Sequence, residues 1–437
     1  MTRILLRGGC VLTLGARTPN FTEADVLIQD GIVVEVGTGI RARDAEQVDA
    51  TDTIVMPGFV DTHRHAWTSL FRNLEEPASG DEPPVAPAAL SDLFDPEDVY
   101  AATLIGLLGA AEAGITTVVD WSDLRADDGL AEAALHAHAD SGLRTVFAHR
   151  ARPEEPTQGT IARLRGAAGP LTTIAFGSAL PGSTDVGAVA DGWALARELG
   201  MRIHAHAGPG RAATGTIRAL AEQGLLRDDV ILTHCSDLED ADVDAIASCG
   251  ASVSLTPASQ MAGGLGSPSI QQLIDRDIRP GLGIENERVA PGDLFAQMRA
   301  TISLQHATIF DRKLAGKAGL PRLMSTRDVI RSATVEGARI AGLGGVTGSL
   351  EPGMQADVIM LRTDRPNIFP INDPIGAVVW GMDTSNVDQV FVAGRAVMRD
   401  GTLAADVERA RNLATIAHGR VTAAAGLVVG AARGEAG

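Results

Sequence analysis

Two histidines stand one residue apart in the stretch MPGFVDTHRHAWTS, Met56 to Ser69, directly after a short apolar run. Alternate residues of an extended segment face the same way, so His63 and His65 can reach one ion. Four more histidines close strand-like runs: His204 and His206 in RIHAHAGPG, His234 in ILTHCSD and His149 in TVFAHRARP. That accounts for six of the ten histidines in the chain. His136, His138 and His418 lie on helix-like runs, and His306 is far from a strand end; these four read as structural. Imidazole suits zinc or iron, and a catalytic centre keeps three or four protein ligands and one open position. A carboxylate beside metal-bound water can take its proton and pass it to a leaving group. Glu285, in RPGLGIENERVAPGDLF, is the candidate; the alternative for it is a pair with nearby Arg288. Glu285 and His234 are thus the candidate catalytic groups. Trp67 could stack on a planar heterocycle or simply anchor its loop. His149, Asp120 and Arg288 are further candidate substrate contacts, with Asp123 and His204 as secondary helpers.

Such residues need a scaffold that gathers distant strand ends. Strand-like runs at 54–60, 115–120, 144–149, 172–178, 200–206, 229–234, 251–255 and 279–285 mostly precede segments of helical period, such as ADGWALARELG. Eight strand–helix units match a (β/α)8 TIM barrel, whose functional groups sit at the C-terminal strand ends. The first fifty residues instead read as short strands, with Asp30-Gly31 as a hairpin turn signal, and ADVIMLR and VDQVFVAGRAVMRDG near the other end look alike. Two stretches interrupt the alternation. The acidic, Pro-rich Glu75–Asp92 reads as a loop over the barrel mouth, a lid or a surface insertion, and PASQMAGGLGSPS after strand seven as a second mobile loop.

Composition narrows the chemistry. A formal net charge of −18 argues against nucleic-acid or anionic-membrane surfaces. No apolar run is long enough to span a bilayer. Cys10, Cys235 and Cys249 are few and scattered, which favours a reducing, cytoplasmic setting and leaves His and carboxylate as the metal ligands.

The chain resembles the amidohydrolase superfamily, in particular its cytosine deaminase and triazine/guanine aminohydrolase-like branch, over almost its whole length. The anchors are MPGFVDTHRH, AGITTVVD (Ala113 to Asp120), IHAHAG, LTHC and GSLEPGMQADVIML. The resemblance implies a composite β-sandwich from both chain ends, residues 1–56 and 345–437, beside a barrel at 57–344. It also implies one divalent metal held by His63, His65, His206 and His234 with the strand-eight acid Glu285. Zn2+ is expected, with Fe2+ or Mn2+ as alternatives. A homodimer or homotetramer acting on a small molecule is expected as well. Binuclear members bridge two metals with a strand-four lysine, but here that strand reads LTTIAFGSALPG, and Lys313 and Lys317 are the chain's lysines. The centre should therefore be mononuclear. Two positions depart from the branch. The strand-five HxxE acid is replaced by Pro209, and the strand-eight Asp by Glu285.

These features predict a hydrolase that cleaves a C–N bond of a small nitrogen heterocycle or amidine-like compound, releasing ammonia or an amine. Ring opening of a cyclic amide or imidazolone is the alternative reaction. A barrel with a degraded site, retained for binding, is the alternative of a different class, and Pro209 is its motivation.

Overall fold

The computed structural model describes residues 2–74, 90–126, 128–150, 157–182, 185–208 and 210–426. Eight parallel strands form one sheet in chain order: Phe59–Arg64, Ile115–Ser122, Arg144–Arg150, Thr172–Ala179, Ile203–His206, Val230–Thr233, Ser252–Leu255 and Gly281–Leu282. The ring closes where strand eight returns to strand one. Ile284 and Glu285 donate their amides to the His63 carbonyl at 3.0 and 2.9 Å, and the His65 amide donates to the Glu285 carbonyl at 2.8 Å. Only glycine fits at 283 in this seam, because a Cβ there would lie 2.7 Å from the His63 nitrogen. The barrel interior is filled below the mouth by Val119, Trp121, Val146, Ala148 and Ala175, and a larger apolar layer packs the helices on the outside.

A second sheet of nine strands draws on both chain ends. Its path runs from Thr402–Leu403 through Val387–Val392 and Val358–Arg362 to Thr53–Pro57, Arg3–Val11 and Ile32–Gly37. Val358–Arg362 lies antiparallel to Thr53–Pro57, which stitches the C-terminal strands to the N-terminal ones. Buried Ile4, Leu6, Val26, Val358, Met360 and Phe391 form its core. The last helix, Val407–Ala424, turns back onto the barrel helix Pro96–Glu112.

Two expectations need correction. The apolar run 54–60 is two strands, because Thr53–Pro57 belongs to the nine-stranded sheet and the barrel begins at Phe59. Both halves are fully buried, so hydropathy could not show the break at Gly58. PASQMAGGLGSPS is not a bare loop, since it opens with a helix at Pro257–Ala262. Thr256 and Pro257 are the helix-start signal that reveals it. Of the acidic stretch, residues 75–89 lie outside those described, and Ser91–Leu93 forms one turn of 3-10 helix.

Candidate metal centre

One ligand atom from each of His63, His206, His234 and Glu285 lies within 4.8 Å of all the others, at the C-terminal mouth of the barrel. Glu285 Oε2 is at the middle, 2.8 Å from His63 Nε2, 3.2 Å from His234 Nε2 and 4.0 Å from His206 Nε2. His206 Nε2 and His234 Nε2 are 3.0 Å apart. His63 Nε2 and Glu285 Oε2, although close, make no aligned hydrogen bond among the described residues. Close approach without alignment is the geometry of lone pairs turned towards a shared third partner, and a buried polar atom without a bond calls for one. Three imidazoles and one carboxylate are a donor set that fits a single zinc-like cation.

Local backbone conformation aims two of these donors. His234 and Glu285 have φ of +69° and +71°, the left-handed region that non-glycine residues rarely adopt. Cys235 follows His234 in the same region, at +51°. Each such residue costs on the order of 1–2 kcal/mol, so surrounding contacts must hold them.

His65 stands at the edge of this group. Its Nε2 is 3.6 Å from Glu285 Oε1, and its Nδ1 is 3.5 Å from Asp123 Oδ2. The sequence expectation grouped His65 with the other ligands, whereas the geometry places it against the far oxygen of the carboxylate. Asp123 also accepts from Arg150 Nη1 at 3.2 Å.

The other candidates fall in different places. Asp120 accepts from the Ala66 amide and pairs with His138 Nε2, both at 2.8 Å, so both its oxygens are engaged. It thereby positions the chain after His65. Trp67 is fully buried with its ring edge-on to Phe94, which makes it a loop anchor. The aromatic beside the cluster is Trp121, with ring centroids 5.1 Å from His206 and 5.4 Å from His65. Trp121 directly follows Asp120 in the second strand, so it faces the opposite side from Asp120, into the barrel. His149 is buried over Phe147, and Arg288 is buried in the loop after Glu285. Glu285 meets histidines and not Arg288. His204 is buried behind the cluster and its carbonyl accepts from Trp121 Nε1 at 3.2 Å. Pro209 lies outside the described residues.

The residue that composition gave no reason to single out is Arg64, the residue between the two histidines. It is 1% exposed. Its Nε donates to Asp61 at 2.7 Å, and its terminal nitrogens donate to Glu287 at 3.0 Å and the Gly292 carbonyl at 2.9 Å. Asp61 in turn accepts from the His63 and Ile284 amides. The opposite charges of Asp61 and Arg64, three residues apart in a fully buried strand, were the available signal.

Burial pushes the His63 imidazole down to about 4, with His65 and His234 adding to the effect against Glu285. His206 is also lowered, well below its usual value and again chiefly by burial. Burial pushes Glu285 up, but His234, His65 and His63 outweigh it and hold the carboxyl well below its usual range. Neutral imidazoles beside an ionised carboxylate are the protonation states that ligate a cation. His204 is depressed to about 3 by burial. Between these values and the unfolded value of 6.5 the unfolded chain binds the extra protons. Stability of the metal-free protein should therefore fall as pH drops from about 6.5 towards 4, by a few kcal/mol in total. Thermal melts of chelator-treated protein across that range check the slope, and no change in melting temperature between pH 7 and 5 would contradict it.

The sequence pattern of the amidohydrolase family matches residues 54–397. The chain belongs to the amidohydrolase family. It is 26% identical over 420 residues to a 5'-deoxyadenosine deaminase of Methanosarcina mazei, covering 92% of this chain and 94% of that one. It is 27% identical over 427 residues to a 5-methylthioadenosine/S-adenosylhomocysteine deaminase of Symbiobacterium thermophilum, again covering 92% and 94%. Its fold matches that of an adenosine deaminase from Xanthomonas campestris with bound zinc, at a TM-score of 0.79 and 21% identity, over 97% of this chain and 99% of that one.

Proposed function

We propose that the chain is a mononuclear metal-dependent deaminase that removes an exocyclic amino group, as ammonia, from a nitrogen heterocycle. Adenine-type nucleosides are the first substrate class, in line with the two deaminase relatives. The observation that carries the reading is the convergence of three imidazole nitrogens and the Glu285 carboxylate within 4.8 Å at the barrel mouth. His63, His206 and His234 hold the ion, and His65 completes the set from the far side of Glu285. A bound Zn2+, or Fe2+ or Mn2+ in its place, supplies Lewis acidity to water and to the carbon under attack.

The protein's own groups then handle the protons. Glu285, ionised and central, accepts the proton of the attacking water and returns it to the departing nitrogen. The ring carbon keeps the oxygen and ammonia leaves, so atoms and charge balance. One carboxylate does both transfers, because the strand-five position that carries an acid in this branch is Pro209. Trp121 gives the site an apolar wall beside His206 and His65. Among the described residues no helix is long and apolar enough to cross a membrane. A cytoplasmic location and a homodimer or homotetramer complete the proposal, supported by the unpaired cysteines and the resemblance.

The test is a paired measurement on protein expressed with supplementary zinc. About one equivalent of metal per chain is expected, with ammonia released from 5'-deoxyadenosine, 5'-methylthioadenosine or S-adenosylhomocysteine. Metal below about a tenth of an equivalent would leave only the binding-protein reading. Full metal with a ring-opened product and no ammonia would select the cyclic amide reading.

A further inference from the structure

We infer that Gln260, on the short helix after strand seven, is a positioning residue that holds His234 in its ligating geometry. The inference rests on the metal reading of the centre. His234 sits in a run, HCSD, where residues 234, 235 and 237 all have positive φ between 48° and 69°. Left alone, such a segment relaxes towards ordinary backbone angles and swings the imbalanced loop, and its imidazole, away from His206. Gln260 opposes this with both ends of its amide. Nε2 donates to the His234 carbonyl at 3.1 Å and to Ser236 Oγ at 2.7 Å, thus gripping the strained run on both sides of Cys235. Oε1 accepts from the Thr256 amide at 2.8 Å. Thr256 Oγ1 lies 3.1 Å from His234 Nδ1. With Nδ1–H donating there, Nε2 keeps its lone pair towards the cluster.

The brace is itself well anchored. Gln260 is fully buried. The Ala258 amide donates to Gln297 on the long helix Leu294–Leu314 at 3.0 Å. Ser259, next to Gln260, donates to the Ile284 carbonyl at 2.6 Å, immediately before Glu285. One turn of helix therefore touches the backbone at both donors that carry positive φ. The side-chain amide is required for this, since a carboxylate lacks the two N–H groups and an alkyl chain lacks both functions.

The experiment is Co2+ binding to metal-free wild-type and Gln260→Met protein, read by chelator competition and by the visible Co2+ absorption band. Gln260→Met should bind Co2+ about 10–100-fold more weakly and with an altered band, the size expected for loss of an outer partner of a ligand. In a His234→Ala background the same change should have no further effect on affinity, because Gln260 acts through His234. Gln260→Glu, which keeps the Thr256 bond, carries the test should Gln260→Met fail to fold. Unchanged affinity and band in the variant, or an undiminished loss in the His234→Ala background, would overturn the positioning role alone. No Co2+ uptake by the wild type would overturn the metal reading and this role together.

Discussion

Glu285→Gln should reduce turnover by roughly 10²–10⁴-fold while the protein still binds close to one equivalent of metal. The amide preserves the shape of the side chain and removes its ability to accept the proton of water. Three imidazoles remain, which is the ligand count that catalytic zinc centres keep. Steady-state kinetics and metal analysis on the same preparation read the two halves of this outcome. Loss of metal together with activity would instead make Glu285 an indispensable ligand, in keeping with its 2.8 Å approach to His63 Nε2. Activity within tenfold of wild type would remove Glu285 from the proton path altogether.

Arg64→Met should cost about 3–5 kcal/mol of stability, the range for breaking a buried ion pair on one side. The guanidinium is the shared partner of Asp61 and Glu287, and its removal leaves Asp61 without its ion-pair partner while Glu287 keeps Arg72. The loss should also depend on pH in a particular direction. Burial already pushes Asp61 up to about 6 even with Arg64 beside it. A carboxyl whose folded pKa is raised holds a proton that the unfolded chain has released, so its contribution to stability falls as pH rises through that window. Without Arg64 the window extends upwards, and the deficit should be smallest in acid and grow towards neutrality. Denaturant unfolding at several pH values measures both features. A cost under 1 kcal/mol that is flat with pH would show that the Asp61–Arg64–Glu287 network carries little of the seam.

These two residues mark the limits of what the sequence could reveal. Histidines at strand ends were legible because ligands must interrupt apolar strands, and barrel alternation assigns those interruptions to one face. That logic gathered six histidines and Glu285 from positions far apart in the chain, and the resemblance, not the alternation, singled out His63, His65, His206 and His234 among them. The place of His65 was not legible, since spacing shows which way a side chain faces but not how far it reaches. The sequence reading offered Trp67 as the aromatic neighbour of the site, whereas packing puts Trp67 against Phe94 and Trp121 beside the histidines. Arg64 and Gln260 were hidden for another reason. Each is polar and buried, with one partner nearby in sequence, Asp61 for Arg64 and Thr256 for Gln260, while the remaining partners, Glu287 and Gly292 or His234 and Ser236, are distant and not legible from the local chain. The barrel itself was legible from alternation, but the joint at Gly58 was not, because burial continues unbroken from one sheet into the other.

Strand eight is a ladder of only two residues, Gly281–Leu282, and beyond it the circle of strands is fastened by the amides and carbonyls of His63, His65, Ile284 and Glu285. The closing seam of the barrel and two of the clustered donors, His63 and Glu285, are therefore the same piece of backbone. Occupation of the centre should therefore favour closure of the ring. A cation that prefers the closed form stabilises the whole architecture by mass action, as a clasp does a bracelet, and scarcity of that cation is felt first at the clasp.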